Sequence, residues 1–148
     1  MKFTVEEIPR KQEEELIFRC HEMNDETLET IRRIKSVTVS QDGLIGYEKE
    51  KIYKVPPGSI FYVESVDNHV FLYTENRCFE SRLKLYEIEE KLKETKFFRA
   101  SKSLILNLAK IAYVSPAMNG RFEAVLTNGE KQIVTRQYVP ELKKRLGM

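Results

Sequence analysis

The chain has no tryptophan, two cysteines, two histidines and five prolines in 148 residues, and each scarcity narrows what it can do. Cys20 and Cys78 stand far apart with no Cys or His at zinc-ligand spacing beside them. They read as reduced thiols of a cytoplasmic protein without a structural metal. No apolar run reaches the roughly 18 residues of a membrane helix. The best stretch, Leu104 to Val114, is interrupted by Asn107 and Lys110. The opening Met1-Lys-Phe-Thr-Val-Glu-Glu lacks the long apolar stretch of a signal peptide, so nothing marks the chain for export. Also missing are GxGxxG, a P-loop, GxSxG and HExxH. His21 and His69 lie in different modules, and neighbours such as Cys20 and His21 point to opposite faces of a strand. Ser65, Asp67 and His69 crowd a polar loop without triad geometry. The chain is therefore read as no enzyme, with no cofactor and no small-molecule substrate.

What is present describes one globular domain of 17.4 kDa, 41% hydrophobic and 32% charged, long enough to bury a real core. The net charge of +2 hides an asymmetry. Residues 95–148 hold ten Lys/Arg against three Asp/Glu, whereas residues 1–50 hold eight against twelve. A positive C-terminal third on a near-neutral chain suits a face that meets a polyanion.

Period-two alternation predicts strands at residues 2–5 (Phe3 and Val5 on one side) and near 16–21 (Leu16, Phe18 and Cys20). Asn24-Asp25 then caps a helix whose stripe is Leu28, Ile31 and Ile34, docked on one side. Alternation resumes over 36–40, and turns are expected at Gln41-Asp42-Gly43 and Pro56-Pro57-Gly58. Residues 60–64 and 69–74 read as strands around a polar loop, Ser65 to Asn68, and residues 85–92 read as a helix. Asn119-Gly120 and Asn128-Gly129 each suit a type I′ turn, which predicts a three-strand meander over 111–117, 121–127 and 130–136. Pro140 opens a closing helix, Glu141 to Leu146. Residues 1–43 thus form a β-β-α extension expected to pack on the β part, residues 44–148.

Hydrogen-bonding side chains gather in three polar loops that follow short strands. Asn68 and His69 end one, Ser101, Lys102 and Ser103 fill another, and Arg136 with Gln137 follows the meander. These residue types bond base edges and phosphate oxygens. A lone cation between two hydroxyl donors, as at Ser101-Lys-Ser103, suits a phosphate. Taken singly, each loop reads as an ordinary solvated turn; three on an apolar β framework in a basic half read differently.

The order of motifs is Ile60-Phe-Tyr-Val-Glu-Ser, His69-Val-Phe-Leu-Tyr-Thr, Leu83 to Leu92, Phe97-Phe-Arg-Ala-Ser-Lys-Ser-Leu-Ile-Leu-Asn-Leu, Asn128-Gly-Glu and Val134-Thr-Arg-Gln-Tyr. Over roughly residues 44–146 this resembles the LytTR DNA-binding domain, the output module of LytR/AgrA-type bacterial transcription regulators. The resemblance implies a mainly antiparallel β fold of about ten strands that inserts inter-strand loops into successive major grooves of bent double-stranded DNA. It implies base-reading or phosphate-facing roles near Asn68 and His69, near Ser101, Lys102 and Ser103, and near Arg136 with Gln137. Some relatives have Asn at the place of Lys102, which implies a phosphate or guanine contact here. Arg136 is the better guanine reader, because its planar fork matches O6 and N7 together.

Many relatives carry a phosphorylatable receiver domain, for which the 43 residues before the match are too few. The expectation is a stand-alone regulator, homodimeric on repeated half-sites, whose N-terminal part extends the sheet, joins a dimer or docks a regulatory protein, which in some relatives is membrane-bound. Two other readings are a β-rich protein-interaction module with incidental nucleic-acid affinity, and an RNA binder. The second needs exposed aromatic rings, whereas Phe97, Phe98 and Tyr113 fall where strand cores are expected.

Overall fold

The computed structural model describes residues 2–39, 43–93 and 95–148, with side chains left aside over 35–39. Ten antiparallel strands and three helices make a mainly β protein. Helix α1 spans Asp25–Val39. It is followed by β1 (Leu44–Glu48), β2 (Lys51–Val55), β3 (Tyr62–Val66), β4 (His69–Tyr73) and β5 (Cys78–Ser81). Helix α2 (Leu85–Lys91) precedes β6 (Phe97–Ser101) and β7 (Leu104–Asn107). The chain closes with β8 (Ile111–Pro116), β9 (Phe122–Leu126), β10 (Lys131–Val134) and α3 (Val139–Arg145). The first seven strands form one sheet in the order β2-β1-β5-β4-β3-β7-β6, and the last three form the expected meander, β10-β9-β8.

Strand alternation sorts the apolar residues into two cores, one on each face of the large sheet. Val63, Val70, Leu72, Phe97 and Ile105 join Leu85, Ile88 and Leu92 of the α2 region on one face. Their neighbours Tyr62, Phe98, Leu104 and Leu106 point the other way, to Ala124, Leu126, Val134, Val139 and Leu142. All four residues of β7 are buried, because that strand is covered on both faces. At about 25 cal/mol per Å² of apolar surface buried, these two layers dominate the stability of the fold.

The N-terminal extension departs from expectation. Residues 2–9 and 13–20 form no strand, and Phe3, Val5, Leu16 and Ile17 are exposed. Alternation creates an apolar face, but a strand also needs a partner for its backbone groups, and among the described residues none pairs with these segments. The predicted strand at 36–40 is helix through Val39, since a helix satisfies its backbone internally; Ser40 and the Gln41-Asp42 part of the predicted turn lie outside the described residues. Asn24 caps α1 as expected, accepting from the Thr27 N–H at 2.8 Å. Yet none of residues 25–34 is buried, and Leu28 of the expected stripe is exposed.

Three turns also differ. The loop expected at Ser65 to Asn68 is tighter: β3 runs to Val66, and Asp67 and Asn68 both take positive φ (50° and 64°), the type I′ pattern. At Asn119-Gly120 both φ values are positive, 63° and 73°, as predicted, but the Ala117 N–H donates to the Arg121 carbonyl, so the loop has three residues rather than two. At Asn128-Gly129 only Gly129 is (89°), and Asn128 instead accepts from the Glu130 N–H at 3.0 Å. That second loop also has three residues, between Leu126 and Glu130, and ends in a left-handed glycine. Tyr113, expected in a strand core, is 60% exposed.

Candidate nucleic-acid interface

Backbone hydrogen bonds bring the three predicted loops to one end of the large sheet. Asn68 and His69 follow the β3–β4 turn, and Ser101 to Ser103 form the β6–β7 turn. The Ser65 N–H donates to the Ser103 carbonyl at 2.8 Å, tying these turns side by side. The Thr135 N–H donates to the Ala100 carbonyl at 2.9 Å, so the segment carrying Arg136 and Gln137 leaves β10 against the end of β6. Asn68, His69, Lys102, Ser103, Arg136 and Gln137 are exposed, and Ser101 is half-buried.

Each loop is held by specific contacts. Arg99, on β6, reaches under the Lys102 turn. Its Nε donates to the Ser101 carbonyl at 2.7 Å, Nη2 to the Lys102 carbonyl at 2.5 Å, and Nη1 to the Glu89 carboxylate at 2.6 Å. Within the turn the Ser103 N–H donates to Ser101 Oγ at 3.2 Å, so Ser101 has a structural task besides any ligand contact. Arg136 starts a short 3₁₀ turn, Arg136–Tyr138, that leads into α3.

His69 has a partner that the sequence did not reveal. Its Nδ1 lies 2.8 Å from Glu80 Oε1 on β5. Ser65, Asn68 and His69, with Glu80, Arg82 and Lys84, line a cleft of about 560 Å³ beside the β3–β4 turn. Arg82 stacks over the Tyr47 ring at 4.1 Å. Arg82 and Lys84 therefore add two cations next to His69. The available signal was weak: two basic residues just before a helix, which also suits plain solvation. Among the described residues no cluster of His, Cys, Asp and Glu could hold a metal ion, and no helix is long and apolar enough to cross a membrane.

An antiparallel β framework presenting polar and cationic inter-strand turns on one edge is the architecture of a β-type nucleic-acid-binding domain. The chain belongs to the LytTR family: residues 50–147 match the family model described as the LytTr DNA-binding domain. It is 34% identical over 100 residues to the sensory transduction protein LytT of Enterococcus faecalis, covering 68% of this chain and 41% of that protein. Against LytT of Bacillus cereus the identity is 33% over 121 residues, covering 80% and 49%. The chain thus spans about half the length of these two relatives or less. An HTH-type transcriptional regulator of Staphylococcus aureus strain NCTC 8325 is 28% identical over 126 residues, 85% of this chain and 84% of that one. Among solved structures, a LytTr DNA-binding domain from Bacillus cereus superposes with a TM-score of 0.67 at 25% identity, covering 71% of this chain and 96% of that domain.

Proposed function

We propose that the chain is a sequence-specific transcription regulator that inserts its inter-strand turns into successive major grooves of double-stranded DNA. The observation that carries this reading is the pair of backbone bonds, Ser65 to Ser103 and Thr135 to Ala100, which gathers the turns of His69, Lys102 and Arg136 at one sheet end. A planar guanidinium at Arg136 suits guanine, and Lys102 between two serines suits a phosphate. In this reading residues 44–148 are the DNA-binding unit. Residues 1–43, which carry the exposed Phe3, Val5, Leu16 and Ile17, serve a second copy or a regulatory protein. In the same reading the chain binds repeated half-sites as a homodimer.

The test is titration of labelled duplexes selected from a random pool, at several salt concentrations. The expected log–log slope is about −0.9 per phosphate neutralised. Arg136→Ala should cost about 1–3 kcal/mol on the selected duplex and relax preference at one base pair, whereas Lys102→Ala should weaken all duplexes alike. Failure to retard any duplex at moderate salt would favour the interaction-module reading, for which the exposed apolar residues of the extension speak.

A further inference from the structure

We propose that Glu80 is a positioning residue for base reading: it fixes the tautomer of His69 so that the outward ring nitrogen accepts a hydrogen bond from an exocyclic amino group, adenine N6 or cytosine N4. This rests on the reading above that His69 faces DNA.

The geometry starts from register. Glu80 on β5 lies directly opposite Phe71 on β4, and His69 is two residues before Phe71 on the same face. Such diagonal neighbours are within reach of long side chains. The reach is realised here, with Glu80 Oε1 2.8 Å from His69 Nδ1. The ring also neighbours Phe71, with centroids 6.4 Å apart. An ionised carboxylate can only accept, so the hydrogen between them sits on Nδ1. In a neutral imidazole the second nitrogen, Nε2, then carries a lone pair and no hydrogen. In the major groove only adenine and cytosine offer an amino donor to such an acceptor.

The charge of Glu80 makes the proposal distinguishable from a merely structural role. The same neighbourhood holds Asp67 in the turn, Glu64 across β3, and Arg82 and Lys84 beside the cleft. On a surface that approaches phosphates, a carboxylate repels DNA of any sequence. Its removal should therefore strengthen non-specific binding, while loss of the tautomer lock should weaken the specific site. A residue that only braces β5 would move neither in that pattern.

The experiment uses the full chain and two probes, the duplex best selected from a random pool and a scrambled duplex of equal length. Glu80→Ala, Glu80→Gln and His69→Ala are titrated against both by fluorescence anisotropy. Expected for Glu80→Ala is tighter binding to the scrambled duplex and roughly tenfold weaker binding to the selected one, the size of one base contact. Repeating the selection should show the preference for adenine or cytosine relaxed at the same base pair that His69→Ala relaxes. Glu80→Gln, whose amide can also donate to Nδ1, should let guanine or thymine in at that position. Scrambled-duplex binding reports that each variant is folded. An unchanged base preference in Glu80→Ala and Glu80→Gln overturns the role of Glu80 alone, and selection of no sequence by the unsubstituted chain overturns the DNA reading with it.

Discussion

The stem of Arg136 lies against the backbone of Gly120: a Cβ at residue 120 would stand 3.2 Å from both Cγ and Cδ of Arg136. The Asn119-Gly120 turn of the small sheet thus forms a wall against the stem of Arg136, and in the proposed reading that wall aims its guanidinium at DNA. Gly120 also has φ +73°, a left-handed conformation that costs an L residue about 1–2 kcal/mol. Gly129 supplies the control, with φ +89° and nothing within 4 Å of a Cβ at that place. Both Gly120→Ala and Gly129→Ala should lower the melting temperature similarly. Only Gly120→Ala should weaken binding to a selected duplex, measured by anisotropy. Equal affinity losses in the two would show that the glycine wall does not aim Arg136.

Arg99 offers a second test, because one side chain holds two consecutive carbonyls of the Lys102 turn and a carboxylate on α2. Removing it leaves those partners seeking water at a half-buried place. Arg99→Ala should destabilise the fold by about 1.5–3 kcal/mol in urea titration, the range for hydrogen bonds to a charged group. Arg99→Lys keeps the charge and loses the planar fork. It should recover part of the stability, while amide exchange at Lys102 and Ser103 stays faster than in the parent chain. Full protection in the lysine variant would show that charge alone holds the turn.

How much of this was legible beforehand follows from what each signal requires. Leu104-Ile-Leu-Asn read as a strand, and its alternation also assigns Leu104 and Leu106 to one core and Ile105 to the other. The meander and both later helices were visible in turn glycines and periodic leucines. Strands β1, β2 and β5 were not individually visible. Gly46 sits inside β1, where a Cβ would come 2.6 Å from Phe79 Cβ, so this glycine marks a close approach rather than a turn. Strand β5 has only four residues, too few for a period to show. The Asp67-Asn68 turn carries no glycine, so its left-handed pair looked like ordinary polar loop. Conversely, Phe3 and Val5 alternate convincingly, but alternation does not supply a neighbouring strand. The loop residues of the site were readable as residue types. Their supports, Arg99 to Glu89 and His69 to Glu80, depend on register between strands and helices, which no local pattern encodes.

Asn107 is a polar side chain buried at the end of β7, at 2% exposure. Its Nδ2 donates to the Ile60 carbonyl at 2.8 Å, and its Oδ1 accepts from the Ala109 N–H at 3.0 Å. It therefore ties the entry of β3 to the turn after β7. Asn107→Ala would leave the buried Ile60 carbonyl without its donor, while the N–H of exposed Ala109 turns to water, a loss of about 1–3 kcal/mol set by the one orphan. Urea denaturation should show that drop with an unchanged slope. Asn107→Asp should fare no better, because a carboxylate cannot donate to Ile60. Retained stability in the aspartate variant would mean that the Ile60 bond contributes little.

Tyr62 and Tyr73 stack with centroids 4.4 Å apart between β3 and β4. Burial, and then the carboxylate of Glu130, hold the Tyr62 phenol well above its ordinary range. Burial, and then Cys78, raise Tyr73 as well. An acid whose pKa is raised by folding keeps a proton in the native state that the unfolded chain has released. The native state then binds more protons, and stability falls as pH climbs above the ordinary tyrosine value of about 10. Below that pH the two states are protonated alike and these groups add no slope. Urea midpoints taken from about pH 8 to pH 11 should therefore decline for the parent chain on the alkaline side. Tyr62→Phe removes the larger of the two shifted groups and should flatten that decline, and the Tyr62→Phe/Tyr73→Phe double variant should flatten it further. Lysine deprotonation acts on all three chains equally, so parallel curves would place the alkaline sensitivity outside the stacked pair.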